Sequence, residues 1–156
     1  MIEGVVAKKL KSLADERGFL MEILRSDDKS MFDRFGQCYV TAVHPGIVKG
    51  WHYHKKQYDH FCCLQGTAKV VLYDPRENSK SYREVNEFIL SLESPLLVKI
   101  PPYVFHGFTA MGHQDALILN LPTEPYHYSE PDEFRESPFS EKIPYDWGFV
   151  DREKSH

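Results

Sequence analysis

"GIVKGWHYHKKQYDHFCCLQG", residues 46–66, decides how this chain is read. It carries His52, His54 and His60, the acid Asp59 and the adjacent thiols Cys62 and Cys63, with His44 just ahead of it. Its β-branched and aromatic residues, bounded by glycines, suit a strand, and a strand alternates faces with period two. His52 and His54 therefore project to one side and can converge on one centre. Asp59 follows after a gap that fits a tight connection, and Gly66 closes the next strand. Cys62 and Cys63 point to opposite faces, and three cysteines in all is an odd count, so they are expected as buried apolar thiols and not as a disulfide framework.

Working outward, the neighbouring segments read the same way. "GQCYVTAVHPG", "DHFCCLQGTAKVVLYDPRENS", "EFILSLESPLLVKIPPYVFHGFTAM" and "ALILNLP" are short β-rich runs broken by Gly, Pro, Asn and Asp, the pattern of a sandwich or barrel. Residues 5–16 lack an apolar stripe and are expected to be extended. After Leu121 the composition turns to Pro, acids and aromatics, which predicts an irregular C-terminal tail, residues 122–156, held on the barrel by Tyr126, Tyr128, Phe134, Phe139 and Trp147.

The chain has 156 residues with 42% of them apolar, enough for one domain with one core. Nineteen basic and 23 acidic side chains are interspersed, giving a net charge of −4 and no basic block to recruit nucleic acid or an anionic membrane. Without a leader-like start or an apolar run of about 18 residues, the expectation is a soluble cytoplasmic protein.

The spacing His52-x-His54, four residues, Asp59, six residues, Gly66 resembles the first signature of the cupin superfamily, with aspartate in place of its usual glutamate. "IPPYVFHGF", which places His106 five positions after Pro101, resembles the second, with Tyr103 for its glycine. The resemblance implies an all-β cupin double-stranded β-helix, or jelly roll. It also implies a possible ligand set of His52, His54, Asp59 and His106 for a divalent metal such as Fe, Mn, Zn or Ni, in an oxygenase or isomerase. The remaining histidines, His44, His60, His113, His127 and His156, read as ordinary polar residues.

Four motifs in order are similar to a narrower cupin branch, the dTDP-4-dehydrorhamnose 3,5-epimerases of nucleotide-sugar biosynthesis. "DERGFLMEI" resembles D-x-R-G-x-F/L-x-E, "FGQCY" resembles F-x-Q-x-N with Tyr39 for the asparagine, "GIVKGWHYH" resembles G-V-L-R-G-L-H-Y-Q, and "IPPYVFHGF" resembles I-P-x-G-F-A-H-G-F. The closing "IPYDWG" is similar to the family's I-x-W-P.

That resemblance implies an isomerase of a 4-keto-6-deoxy nucleotide sugar that needs no cofactor. A C4 ketone acidifies the hydrogens on C3 and C5, so a base forms an enolate and an acid returns a proton to the other face. The base position falls on His52. The family's enolate-stabilising lysine falls on Asp59 and its proton-donating tyrosine on Asn120, so both groups are replaced. Lys55, Lys56, Tyr103, Tyr126 and Tyr128 are the candidate substitutes. Arg17 and Lys49 match diphosphate positions, and Glu22 and Gln37 match positions that read the nucleobase and sugar. The family also implies a homodimer in which residues 1–24 cross to the partner and bring Arg17 and Glu22 into its pocket. A third reading is a binding module that kept the barrel and lost the chemistry.

Overall fold

The computed structural model describes residues 1–149, which leaves His156 outside. Every predicted β segment forms strands. "GQCYVTAVHPG" gives β4 (Tyr39–Val43) and "GIVKGWHYH" gives β5 (Val48–Tyr53). The long run that follows gives β6 (Asp59–Gln65) and β7 (Thr67–Tyr73), which turn at Gly66. Its φ of 69° and the 2.2 Å between a built Cβ and the Asp115 carbonyl oxygen both demand glycine there. Next come β8 (Val85–Ser91), β9 (Leu96–Ile100), β10 (Phe105–Met111) and β11 (Ala116–Asn120). The N-terminal residues are extended as expected, forming β1 (Val6–Lys9), β2 (Ser12–Asp15) and β3 (Gly18–Met21).

Two antiparallel five-stranded sheets face one another, in the orders β1-β9-β6-β11-β4 and β12-β5-β10-β7-β8. The two-residue β12 (Phe134–Arg135) comes from the C-terminal tail. Between the sheets lies an apolar core that includes Val43, Phe61, Cys63, Leu72, Leu90, Val98 and Ile118. β6 is buried on both faces, because Cys62 points away from that core into a second cluster with Met31 and Leu97. The two thiols thus act as small hydrophobes on opposite sides of one strand.

Over the described residues the tail is irregular except for β12, and of its expected anchors Phe134 and Trp147 pack on the second sheet while Tyr128 does not. Ile143 and Trp147 are buried against Trp51, Val71 and Tyr73 on the outside of the second sheet. Phe134 stacks on Tyr53. Tyr128, expected as an anchor, is 90% exposed, its ring edge-on to Tyr126 at the rim and not packed on the sheet. Backbone bonds in both directions between Trp51 and Glu136 extend the β5–β12 pairing, so the tail becomes the edge of the second sheet.

β2 and β3 pair only with each other, as a hairpin whose Leu13, Phe19 and Leu20 are all more than half exposed. Among the described residues there is no helix long and apolar enough to cross a membrane.

Candidate active site

A cavity of about 590 Å³ opens between the two sheets under the tail. The first sheet contributes Tyr39, Thr41 and Phe61, and the second contributes Lys49, His52, His106 and Phe108. His54 and Gln57 come from the connection after β5, and Tyr126, Tyr128, Asp132, Glu133 and Arg135 from the tail. Strand register explains why the histidines meet: His52 on β5 pairs directly with His106 on β10. Close approach of those strands depends on glycine, since a Cβ on Gly50 would sit 2.8 Å from Gly107 Cα.

Beneath the histidines lies Asp59, 1% exposed, with both carboxylate oxygens engaged. Its Oδ2 accepts from His54 Nε2 and from His106 Nε2, each at 3.1 Å. Its Oδ1 accepts from the side-chain amides of Gln57 at 2.7 Å and Asn120 at 3.0 Å. A buried carboxylate is costly unless paired and hydrogen-bonded, and this one is both. Burial pulls its pKa upward, but the His54 and His106 rings overcome that and hold it well below the ordinary carboxylate value.

His54 has an oxygen acceptor on each ring nitrogen: Asp59 on Nε2 and the Asp132 carbonyl on Nδ1. A carbonyl cannot donate, so Nδ1 carries hydrogen, and the ionised Asp59 carboxylate favours a second hydrogen on Nε2, the imidazolium form. Burial opposes this charge, but Asp59 and the Asp132 carbonyl outweigh it and raise the pKa to about 9. His52 is shifted the other way. Burial and the neighbouring His106 lower it to about 4, against the pull of Glu133, whose Oε1 lies 4.0 Å from His52 Nε2. Two histidines two positions apart therefore hold opposite protonation states at neutral pH, one a cation and one a free base.

Residues 132–135 also hold the loop after β5. The Asp132 carboxylate accepts from the backbone N–H groups of Lys55, Lys56 and Gln57 at 2.8, 2.9 and 3.2 Å. Glu133 is paired with Arg135 at 3.1 Å. Sequence reasoning missed Asp132, Glu133, Arg135, Thr41 and Tyr39 as site residues. The "PDEFR" run that supplies Asp132, Glu133 and Arg135 gave only composition, and nothing local in it signals pairing with β5.

Of the residues singled out in the sequence, Gln37, Lys49, His52, His54, His106 and Tyr126 line the cavity. Asp59 and Asn120 do not. Asp59 lies behind His54 and His106, and Asn120, fully buried, behind Tyr39, so both act through other side chains. Arg17 and Glu22 stand outside their own chain's cavity, on or just after the exposed hairpin, where Arg17 bonds Asp15 and Glu22 bonds Arg25. Lys55 lies over the Phe134 ring at 4.3 Å instead of entering the cavity.

The four-ligand metal set does not assemble as a unit. His54, Asp59 and His106 present ligand atoms within 4.8 Å of one another, but His52 is outside that group and faces Glu133. The three that do gather already satisfy each other through N–H···O bonds. His54 would have to lose its Nε2 proton to ligate, and its pKa is raised, not lowered. His54, Asp59 and His106 are thus a group whose ligand atoms lie close enough to gather about an ion, and in this structure they bond one another instead.

Comparison with known proteins identifies the chain's relatives. Residues 13–134 match the family described as Polysaccharide biosynthesis C-terminal domain. The chain is 39% identical to the spore coat polysaccharide biosynthesis protein SpsL of Bacillus subtilis, covering 94% of this chain and 97% of that one. It is 38% identical to the probable low-salt glycan biosynthesis epimerase Agl13 of Haloferax volcanii, over 93% and 89%. A dTDP-4-dehydrorhamnose 3,5-epimerase of Methanothermobacter thermautotrophicus is 30% identical over 81% and 70%. Among solved structures, a dTDP sugar isomerase from Desulfovibrio desulfuricans superposes with a TM-score of 0.88 at 31% identity, covering 96% of this chain and 94% of that one.

Proposed function

The chain belongs to the sugar-nucleotide epimerases related to dTDP-4-dehydrorhamnose 3,5-epimerase, a cupin family, and on that premise we propose that its cavity takes a dTDP-linked 4-keto-6-deoxy sugar and inverts a carbon beside the ketone. His52 removes the proton. The observation that carries this role is its position: half-buried on the cavity wall, paired across the strands with His106 and with Glu133 Oε1 4.0 Å from its Nε2, a setting whose burial lowers its pKa to about 4 and favours the free base. Glu133 at 4.0 Å is placed to stabilise the imidazolium as it forms.

Deprotonation leaves negative charge on the C4 oxygen, and a pocket with little water weights nearby charges heavily. The family's lysine is missing, but Asp59 in its place holds His54 as a cation on the cavity wall. His54 therefore supplies the positive charge indirectly, through a buried ion pair. In this reading no metal is needed. Lys49 and Arg135, both on the wall, bind the diphosphate.

The enzyme works as a homodimer. The hairpin's exposed Leu13, Phe19 and Leu20 form an apolar surface that its own barrel leaves uncovered. Docking on a partner would take Arg17 and Glu22 toward that partner's cavity.

Incubation with dTDP-4-keto-6-deoxyglucose in D2O tests the reading. Deuterium should enter at C3, C5 or both, and no wash-in at either carbon would sink it.

A further inference from the structure

Epimerisation needs an acid on the face opposite the base, and the residue expected there, Asn120, is an amide that cannot donate a proton to carbon at useful rates. The structure places a phenol beside it. Tyr39 on β4 is the register partner of Asn120 on β11. The Tyr39 side chain lines the cavity, and its hydroxyl accepts a hydrogen bond from Asn120 Nδ2 at 2.8 Å. Compared with the family motifs, the asparagine and the tyrosine have exchanged strands: position 39 has gained the phenol and position 120 the amide.

We propose that Tyr39 is the proton donor that completes the inversion, with Asn120 as the positioning residue that aims it. This rests on the epimerase reading above. The orientation of Asn120 is fixed on three sides, because its Oδ1 accepts from the His60 backbone N–H at 2.9 Å and its Nδ2 donates to both Tyr39 and Asp59. The amide nitrogen only donates, so the phenol's own hydrogen is not used by Asn120 and is left for the substrate. His52 stands on β5 in one sheet and Tyr39 on β4 in the other, so base and acid approach the sugar ring from opposite walls.

The step balances with no further reactant. His52 takes the proton, and the C–H electron pair becomes the C=C of the enolate while the C=O pair moves onto the C4 oxygen. The C=C pair then takes the Tyr39 proton on the other face, restoring the C4 carbonyl and leaving a phenolate. Solvent returns a proton to Tyr39 and removes one from His52. Burial and the Asp59 charge push the Tyr39 pKa up to about 12, which keeps the phenol protonated between turnovers.

Two variants test this with dTDP-4-keto-6-deoxyglucose in D2O. Y39F should keep the wild-type melting temperature and probe affinity and still exchange hydrogen at the carbon facing His52, while epimer formation falls by at least about 100-fold. Y39N/N120Y, which returns each group to the other strand, should recover a large part of that loss. Y39F epimerising at the wild-type rate would remove Tyr39 from the mechanism and leave the epimerase reading intact. A double variant that folds and binds the probe without epimerising counts against the donor role too. A wild-type protein that exchanges no hydrogen overturns both.

Discussion

His52 Nε2 stands 4.0 Å from Glu133 Oε1, across the short pairing of β5 with β12. Of the charges around His52, Glu133 is the one that favours its protonated form, while burial, His106, Arg135 and His54 all oppose it. The pair sets the pH dependence of the base. Since His52 is neutral above about pH 4, kcat/KM should hold from pH 7 down through 6.5 and fall only as the pH approaches 4. E133Q removes the one favourable charge, so the limb should move to still lower pH while kcat drops, because the imidazolium formed in the transition state loses its partner. H52A should lower kcat by about 10²–10⁴-fold. A limb near 6.5 would mean that His52 is solvated like an ordinary histidine.

The His54–Asp59 pair should appear in stability as well as activity. A histidine raised to about 9 stabilises the fold fully below its unfolded value near 6.5 and loses that contribution as pH rises through 9. Denaturant melts between pH 6 and 10 should show a decline of about 3 kcal/mol that is absent in H54Q. D59N strands the His54 cation and should cost about 3–5 kcal/mol, read from the same melts at pH 7.

Protein purified without chelators should contain substoichiometric metal, and treatment with EDTA should leave the epimerase rate unchanged. Elemental analysis checks this directly. One metal per chain, lost in H54A, would instead mean that His54, Asp59 and His106 give up their mutual hydrogen bonds to a cation.

Arg17 and His52 should complement each other across subunits. R17A and H52A homodimers are each expected to be inactive, but random re-pairing of the two makes half the dimers hybrid, each with one complete site. Roughly a quarter of wild-type activity should return on mixing unfolded chains and refolding. No recovery would leave Arg17 as the surface partner of Asp15.

G50A and G107A should destabilise the site's framework. A Cβ on Gly107 would meet Trp147 at 3.1 Å and the Lys49 carbonyl at 3.2 Å, and one on Gly50 would overlap the facing backbone. Losses of about 1–3 kcal/mol in thermal or denaturant melts are expected, with G50A the worse, since backbone moves less readily than an indole.

What the sequence carried and what it withheld divide by range. β-rich runs punctuated by Gly, Pro, Asn and Asp placed β4 to β11, because strand preference and turn chemistry are local properties of the residues themselves. The H-x-H spacing put His52 and His54 on one wall, because a strand alternates faces with period two. The protonation of those two histidines was out of reach, since it depends on burial, on the contacts of His54 with Asp59 and the Asp132 carbonyl, and on His106 from another strand beside His52. The Tyr39–Asn120 exchange was visible as two separate departures from a motif. Only the register of β4 on β11 shows that they are one change.

The edge strand β12 also makes one stretch of backbone a handle on the site. Residues 132–135 hold the loop after β5 and flank His52, and the chain beyond them is seated by Ile143 and Trp147 on the outer face of the second sheet. None of the long strands β4 to β11 pairs with that seat, so a single protease cut between Arg135 and Ile143 loosens the wall of the cavity while β4 to β11 keep their hydrogen bonds to one another. Cleavage there separates binding from folding.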